Sequence, residues 1–506
     1  MAFTRQNVWE LGGDWADPIL WYARGVKAMK ARPISDPTSW RFFGAIHGFN
    51  QGLWQAVGAL NEGDQPPSRN DMRTYWAQCQ HGSWFFLPWH RGYLIALEAV
   101  VRDAITQLGG PGATWALPYW NYFKPNENPL PPAFASADWP DGTGDNPLFE
   151  ARRFGPDDSG NVFIPLDQVD QNALGDAKFE GPGQGASPGF GGIRTGFSHG
   201  GGNHGGVEMQ PHDMVHVLVG GGDPGNPGLM SNPDIAGLDP IFYLHHSNID
   251  RLWEVWNKIP ATPAHTNPSQ TNWMKGPAST GERAFVMPMP GGRSWTYTPA
   301  DTVSIATLGY SYDDVSAPSL PLVASRRQRL GMAPAPAPGG PAMAEHVELM
   351  GASSGGLSLT GSSAKASVQL DHAVRNRMSS SLQGMAGGPA APDRIFLNLQ
   401  NVRGANDATA LTVYINVPEG DDPAKHPELK AGSIGLFGLS KASAMDGPHA
   451  GDGLNFSIEI SHVIDTLHLR GALNVNQLHV NIVPRKPVPN QEPVTIGHIS
   501  VYRQSS

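Results

Sequence analysis

The first half of the chain places apolar residues at the spacing of amphipathic helices. One such pattern covers 88–102, where apolar positions recur at intervals of three and four residues. Asp239 followed by Pro240 is typical of a helix N-cap with proline at the first helical position, which predicts a helix over 241–256. A further apolar run predicts a helix over 38–47. The pattern therefore predicts a mainly helical N-terminal part.

The last quarter of the chain changes to short runs of apolar and β-branched residues, separated by turns rich in Gly, Asp and Pro. Residues 412–417 alternate apolar and polar side chains, which is the period of a strand with one buried face. The regular spacing of six such runs predicts a β-sandwich. The runs are 394–399, 410–417, 433–439, 455–461, 478–483 and 494–502.

Composition separates these two parts. Residues 333–341 alternate Ala and Pro before Gly-Gly-Pro, and Gly, Ser and Met are frequent around 350–390, as is typical of linkers. A chain of 506 residues is also too long for one hydrophobic core. We therefore predict a helical domain with long loops over 1–315, a linker and flexible approach over 316–390, and a β-sandwich domain over 391–506.

Charge and cysteine content narrow the possible partners and compartments. A net charge of -10 with 16% charged residues provides no basic surface for nucleic acid or an anionic membrane. No apolar run has the length of a membrane span, and no hydrophobic region follows the N-terminus, which favours a cytoplasmic location although export by another route stays open. A single cysteine excludes an internal disulfide framework.

Histidines supply the candidate chemistry. Nine of the eighteen lie between positions 47 and 246, and six of these form two triplets. Histidines four residues apart share one face of a helix and can share one ion. Four helices that each direct histidines inward predict a two-metal site in the core of a four-helix bundle. The triplets are His47, His81 and His90, then His212, His216 and either His245 or His246.

Imidazole ligands suit zinc, copper, iron and nickel, so the residues alone choose neither the metal nor between His245 and His246. His199 and His204 lie in a glycine-rich stretch, which does not hold a ligand rigidly, and they are interpreted as loop residues. His265 and the eight histidines from His346 onward are scattered and receive no site role.

Two longer segments carry a family resemblance. Residues 80–91 (QHGSWFFLPWHR) and 239–253 (DPIFYLHHSNIDRLW) resemble the two copper-binding motifs of type-3 copper proteins, which are tyrosinases, catechol oxidases and molluscan-type haemocyanins. The resemblance covers about 1–315, from Arg5 to a tyrosine motif at 310–312. It implies a mainly α catalytic domain with two copper ions and O2 as co-substrate. The implied ligands are His47, His81 and His90 at copper A, and His212, His216 and His246 at copper B.

The resemblance also implies an activity and further site residues. A tyrosinase would hydroxylate monophenols at the ortho position and oxidise o-diphenols to o-quinones. Cys79 resembles the cysteine that some relatives join to the copper A histidine, here His81, by a thioether bond. Glu208 matches a glutamate thought to hold a water that deprotonates the phenol. Its partner asparagine is replaced by Asp213, which only accepts hydrogen bonds when ionised. We therefore hypothesise that a protonated Asp213 favours monophenol activity at mildly acidic pH.

Access to the copper site distinguishes the members of the family. A bulky phenylalanine shields copper A in plant catechol oxidases, and the corresponding position here is Pro233, which favours a tyrosinase. Phe242, Val217 and Pro233 are placed in the substrate pocket. The C-terminal part resembles, more weakly, a sandwich domain that covers the copper pocket in plant polyphenol oxidases and haemocyanin units. Phe437 is a candidate plug, and a core strand residue is the alternative interpretation.

Other functions stay open at this point. The alternatives are a catechol oxidase without monophenol activity, a haemocyanin-like oxygen carrier, and a zinc metallopeptidase built on His212 and His216. The peptidase leaves the first triplet unexplained. The expected partners are small phenols, with a homo-oligomer and a copper-delivery protein as further possibilities.

Overall fold

The computed structural model describes residues 3–142, 144–183, 185–200, 202–260, 265–316, 346–371, 393–447, 450–470 and 476–505. The predicted linker at 333–341 lies outside these residues. None of the described helices combines the length and apolar character needed to cross a membrane.

The N-terminal part is built on helices, as predicted. The described α-helices there are α1 Asp17–Lys30, α2 Trp40–His47, α3 Gln51–Ala56, α4 Arg69–Tyr75, α5 Phe86–Gln107, α6 Pro132–Ala135, α7 Met214–Gly220, α8 Pro240–Lys258, α9 Thr271–Met274, α10 Pro299–Thr302 and α11 Ile305–Leu308. Short strands accompany them: β1 Phe3–Arg5, β2 Gly222–Asp223, β3 Asn226–Pro227, β4 Phe285–Met289, β5 Arg293–Tyr297 and β6 Tyr310–Tyr312.

The helix ends follow the capping residues in the sequence. Asp239 accepts a hydrogen bond from the Ile241 backbone N–H at 3.0 Å and so begins α8 where its cap predicts. The Ser39 hydroxyl oxygen likewise caps α2 by accepting a hydrogen bond from the Phe42 backbone N–H. Helix α5 extends beyond the predicted 88–102 at both ends. An irregular helical segment, Glu208–Asp213, leads into α7.

The two ends of the helical part are joined at one buried ionic cluster. Strands β1 and β6 pair in parallel, with Arg5 opposite Tyr312. The Arg5 guanidinium is fully buried and lies 2.8 Å from Glu98 and 3.2 Å from Asp250. The Tyr310 hydroxyl donates to Asp250 at 2.6 Å. Because Asp250 lies on α8, this cluster anchors both ends of the helical part beside the helix that carries His245 and His246.

The C-terminal part differs from the β-sandwich predicted from the sequence. Its nine strands form one antiparallel sheet in the order β12-β11-β14-β9-β7-β15-β10-β13, with β8 paired to β15. The two end strands approach each other, because a Cβ on Gly432 of β12 would lie 3.1 Å from the Ile458 side chain of β13. The sheet is therefore nearly closed on itself and encloses its own core. The strands are β7 His346–Ser353, β8 Leu357–Leu359, β9 Ala364–Leu370, β10 Arg394–Arg403, β11 Ala410–Ile415, β12 Lys430–Gly435, β13 Leu454–Glu459, β14 Gln477–Pro484 and β15 Val494–Ser505.

The six predicted strands all exist, but the predicted linker is wrong over 346–370. Strands β7, β8 and β9 lie in this stretch and pair with β15 and β14. Their Gly and Ser content suggested flexibility, whereas sheet pairing depends on long-range partners that composition does not report. The described part of this domain also contains two short α-helices, α12 Leu439–Ser443 and α13 Ser461–Leu469.

The C-terminal domain contacts the helical domain beside α7. A Cβ on Gly435, the last residue of β12, would lie 2.7 Å from the Asp213 carbonyl oxygen, so this approach requires glycine. Gly438 has φ of +83°, which favours glycine and turns the chain back towards α12. Between these two glycines, Phe437 packs against the helical domain, whereas Leu436 packs in the core of the C-terminal domain.

Candidate metal centre

The first histidine triplet converges from two helices and a loop. His47 is the last residue of α2, His90 lies in the second turn of α5, and His81 lies in the loop before α5. Their ring centroids are 5.4 to 5.7 Å apart. The Nδ1 atoms of His47 and His90 bond to the carbonyl oxygens of Pro233 and Phe86, each at 2.8 Å. These bonds direct both Nε2 atoms to the centre of the triplet.

The second triplet comes from two neighbouring segments. His216 lies on α7, His212 lies two residues before the start of α7, and His246 lies on α8. His212 Nδ1 lies 2.9 Å from an Asp213 carboxylate oxygen, and His216 Nδ1 lies 2.7 Å from the Met230 carbonyl oxygen. The Nε2 atoms of His216 and His246 are 3.3 Å apart. The predicted pair at positions 212 and 216 therefore does share one face, with ring centroids 4.5 Å apart.

The free nitrogens of these rings fit bound metal ions. The Nε2 atoms of His47, His81, His90 and His212 are buried and have no hydrogen-bond partner among the residues that the structure describes. Burial lowers the pKa of all six rings, to about 3 for His47, so the imidazoles are neutral near pH 7. Unpaired buried nitrogens are costly, whereas neutral imidazole nitrogens are the form that ligates copper. The donor set thus fits two copper ions with all-nitrogen ligation.

His246 and its neighbour His245 occupy different places. The His246 ring stacks on His90 with centroids 4.4 Å apart, so it lies between the two triplets. His245 stacks beside His212 at 5.4 Å and lies 5.7 Å from Tyr122, on the far side of the second triplet. Its nitrogens are nevertheless within 4.8 Å of those of the second triplet. The position between the triplets favours His246 as the ligand that faces the other ion.

Two buried carboxylates lie beside the histidines. Glu208 accepts hydrogen bonds from the Gly82 N–H at 2.9 Å and the Gly205 N–H at 3.3 Å, and lies 3.8 Å from His81 Nδ1. Burial raises the pKa of Glu208 to about 7, which lets this carboxyl take or release a proton near neutral pH.

Asp213 has contacts that the sequence did not predict. One carboxylate oxygen bonds His212 Nδ1 at 2.9 Å, and the other lies 2.5 Å from His204 Nδ1. Burial raises the pKa of Asp213, and the nearby His204 lowers it. An ionised carboxylate can accept from both rings, whereas the raised pKa favours the protonated form. The hypothesis of a protonated Asp213 at mildly acidic pH therefore stays a prediction.

Cys79 lies next to two histidines of the first triplet, His47 and His81. Its Sγ is buried, 3.2 Å from His199 Nδ1, and within 4.8 Å of ring nitrogens of His47 and His81. Burial raises the pKa of the thiol well above its ordinary value, so the group is a thiol near pH 7. His199 Nε2 in turn contacts Lys441 Nζ of the C-terminal domain at 2.8 Å.

The residues placed in the substrate pocket surround the histidines. Phe242 stacks on His246 with centroids 4.1 Å apart, and Val217 is buried next to His216 on α7. Pro233 is buried, and its carbonyl oxygen holds His47. Phe437 is fully buried and stacks on His216 with centroids 4.1 Å apart. The ring of Phe437 thus covers the second triplet, whereas the predicted opening at Pro233 concerns the first.

Two neighbours of the centre were not assigned from the sequence. Phe86 packs against His90 and His212, with centroids 4.6 and 4.7 Å away, and was visible only as part of the first motif. His204 was interpreted as a loop residue because glycines surround it. Its separation of nine residues from Asp213 matches no regular element, so spacing carried no signal for this contact.

Comparison with known proteins identifies the family. Residues 37–259 match the model of the common central domain of tyrosinase, and residues 346–504 match a domain of unknown function (DUF7868). Tyrosinase HcTyr1 of Hahella sp. (strain CCB-MM4) is 33% identical over 514 residues, which cover 99% of both chains. The chain belongs to the tyrosinase family. A chloroplastic polyphenol oxidase of Malus domestica is 27% identical over 59% of this chain and 47% of its own length.

Solved structures share the whole architecture of this tyrosinase family member. Latent apple tyrosinase has a TM-score of 0.57 at 19% identity, and the match covers 100% of this chain and 98% of that chain. A latent aurone synthase has a TM-score of 0.59 at 18% identity, with coverage of 100% and 90%. These likenesses show a common fold with a helical core and a C-terminal β domain. As a member of the family, the protein is a copper oxidoreductase with a binuclear centre that acts on phenols.

Proposed function

We propose that the protein is a tyrosinase that hydroxylates monophenols and oxidises o-diphenols. The observation that carries this proposal is the pair of buried, neutral histidine triplets that face each other across His90 and His246. Helices α2, α5, α7 and α8 would hold the two ions as a four-helix bundle. The proposed ligands are His47, His81 and His90 for one copper, and His212, His216 and His246 for the other.

Copper bound there supplies the redox chemistry by which O2 oxidises the phenol. The chain's own residues bind, orient and deprotonate the substrate. Phe242 is fully buried with its ring stacked on His246, so it would orient this ligand beneath the substrate pocket. Glu208, whose pKa is raised to about 7 by burial, can accept the phenolic proton through a water. Asp213 orients His212 rather than this water, because both of its oxygens bond imidazoles.

Relative rates test the proposed monophenol activity. The copper-loaded protein is given tyramine and catechol in turn, and O2 uptake and quinone formation are followed for each. A tyrosinase forms quinone from both substrates. Quinone from catechol alone would identify a catechol oxidase, and reversible O2 binding without quinone would identify a carrier.

We also propose that the C-terminal domain covers the active site as a lid. Phe437 lies on His216, at 4.1 Å, where a phenol would have to enter. Latent apple tyrosinase and the latent aurone synthase, whose matches span both domains, are described as latent enzymes. A polar interface holds the lid here: Lys441 pairs with Asp234 at 2.6 Å, and Asn232 donates to Asp407 at 2.6 Å. Polar contacts of this kind can be broken without unfolding either core.

The lid contact at Asp407 predicts a dependence on pH. Burial raises the pKa of Asp407 from 3.8 to about 6, although the Ser440 N–H and hydroxyl and the Asn232 amide donate to it. Because the pKa of Asp407 is higher in the folded protein than in the unfolded chain, the folded state is favoured while the carboxyl is protonated. This contribution to the free energy of unfolding is fully present below about pH 4 and is lost as the pH rises through 6. The full loss is roughly 3 kcal/mol, given 1.36 kcal/mol per pKa unit.

Asp407→Asn should remove this dependence. Relative to the parent, the variant should gain stability between pH 4 and pH 7, as measured by denaturant unfolding at each pH. Asp452→Asn, which changes an exposed carboxylate of the same domain, is the control. The prediction would be contradicted if the free energy of unfolding of Asp407→Asn and that of the parent changed with pH in parallel.

The thioether between Cys79 and His81 is a further proposal. The proximity of the buried Sγ to the first triplet supports it, while the contact with His199 offers the thiol another partner. Formation of the S–C bond breaks the thiol S–H and a ring C–H of His81, and O2, the co-substrate of the proposed activity, would accept the two hydrogens and their electrons. After copper loading, the intact mass should be lower by these two hydrogens and Cys79 should resist alkylation under denaturing conditions. An unchanged mass with a fully alkylated cysteine shows that the bond is absent.

Three other expectations from the sequence stay predictions. They are a cytoplasmic location, a homo-oligomer and a separate copper-delivery protein.

A further inference from the structure

Asp213 and His204 form a buried pair beside the second triplet. The Asp213 carboxylate joins two imidazoles, with 2.5 Å to His204 Nδ1 and 2.9 Å to His212 Nδ1. His204 is 5% exposed, and neither Asp213 nor His212 has any exposed surface. The three side chains therefore form a continuous hydrogen-bonded chain that ends at the ring of a proposed copper ligand.

The loop that carries His204 is held by the C-terminal domain. The Asn455 N–H of β13 donates to the Gly202 carbonyl oxygen at 2.6 Å, and Asn203 forms a parallel bridge with Asn455. The next residue of β13, Phe456, presents its ring 6.2 Å from the His204 ring. A glycine-rich loop alone does not fix a side chain, but these contacts attach it to a sheet. The structure thus provides the rigidity that the sequence of this loop lacks.

We propose that His204 is a positioning residue for His212. The inference rests on the proposed function, which assigns His212 as a copper ligand. An Nδ1–H bond to a carboxylate fixes both the tautomer and the ring orientation of a ligating histidine. The carboxylate can do this only if its own rotation is restricted, and His204 supplies the second bond that restricts it. Loss of the His204 donor leaves Asp213 held by His212 alone, and the aim of His212 Nε2 is relaxed.

Two amide variants of His204 isolate this bond. The Asn side chain places its NH2 group at the same number of bonds from Cα as Nδ1 of histidine, so His204→Asn keeps the donor to Asp213. The Gln side chain places its NH2 group where Nε2 lies, so His204→Gln removes the donor while it retains polarity. Competition against a chelator measures the two copper affinities of each variant, and thermal unfolding of the copper-free proteins measures their stability.

We expect His204→Asn to bind both coppers as the parent does, and His204→Gln to bind one of the two about tenfold more weakly, as is typical when a partner of a metal ligand is removed. The copper-free melting temperatures of the two variants should agree. Equal copper affinities in both variants would overturn the proposal, whether both match the parent or both are weakened. A copper loss that accompanies a lower copper-free melting temperature in His204→Gln would also overturn it. A parent that binds fewer than two coppers would instead contradict the proposed function.

Discussion

Phe437→Ala should raise kcat/KM for catechol by about tenfold or more, without activating treatment. In the closed structure, the Phe437 ring stacks on His216 at 4.1 Å and has no exposed surface. Burial of a phenylalanine side chain stabilises a contact by about 1.5 to 3 kcal/mol, and 1.4 kcal/mol corresponds to a factor of ten in population. Removal of the ring therefore opens the centre and also weakens the closed state. Steady-state O2 uptake on copper-loaded protein measures the change.

The control is Leu436→Ala, because Leu436 is the preceding residue and is also fully buried, but it packs in the core of the C-terminal domain. This variant loosens the domain without removing the ring from the histidines. The plug interpretation requires a larger activation by Phe437→Ala than by Leu436→Ala at equal copper content. Equal activation would show that general loosening of the domain is responsible, and no activation by either would show that Phe437 does not limit access.

His246→Asn should lose one of the two coppers and reduce kcat/KM by more than about a hundredfold. Changes in the partners of metal ligands cost about ten- to a hundredfold, and loss of the ligand itself should exceed this range. The His246 Nε2 lies 3.3 Å from that of His216 and its ring stacks on His90, so this imidazole lies between the two triplets. Copper analysis after gel filtration and O2 uptake with catechol measure both effects.

His245→Asn is the matched control, since it makes the same change in the adjacent residue of the same helix. It should retain two coppers and lose less than about tenfold in kcat/KM. The alternative is that His245 is the copper ligand, since its nitrogens also lie within 4.8 Å of the second triplet's nitrogens. If His245→Asn loses the copper and His246→Asn keeps it, the assignment of the ligand is reversed.

The sequence predicted those parts of the fold that depend on neighbouring residues. The cap at Asp239 predicted the start of α8, and apolar spacing predicted α5 and the six strands after residue 393, because local propensity and burial act within one element. The spacing of the histidines predicted the two triplets, and the resemblance of the two motifs to those of type-3 copper proteins implied that the metal is copper. Phe437 lies on His216, and the plug interpretation, which depended on resemblance, stays a prediction.

Contacts between distant segments were not predictable in the same way. Strands β7 to β9 have a composition typical of linkers, and only their pairing with β14 and β15 gives them structure. The contact between His204 and Asp213 depends on a glycine-rich loop that β13 holds from another domain. The role inferred for Asp213 from the family pattern changed for this reason, since its partners are histidines that no local pattern could identify.

The most direct test of the account is copper content and turnover on the same sample. The protein is loaded with copper, freed of excess metal, and analysed for copper per chain and for quinone formed from tyramine and from catechol, with Phe437→Ala beside the parent to open the site. The account predicts two coppers per chain and quinone from both substrates. Two coppers per chain with no quinone from either substrate in Phe437→Ala would contradict it.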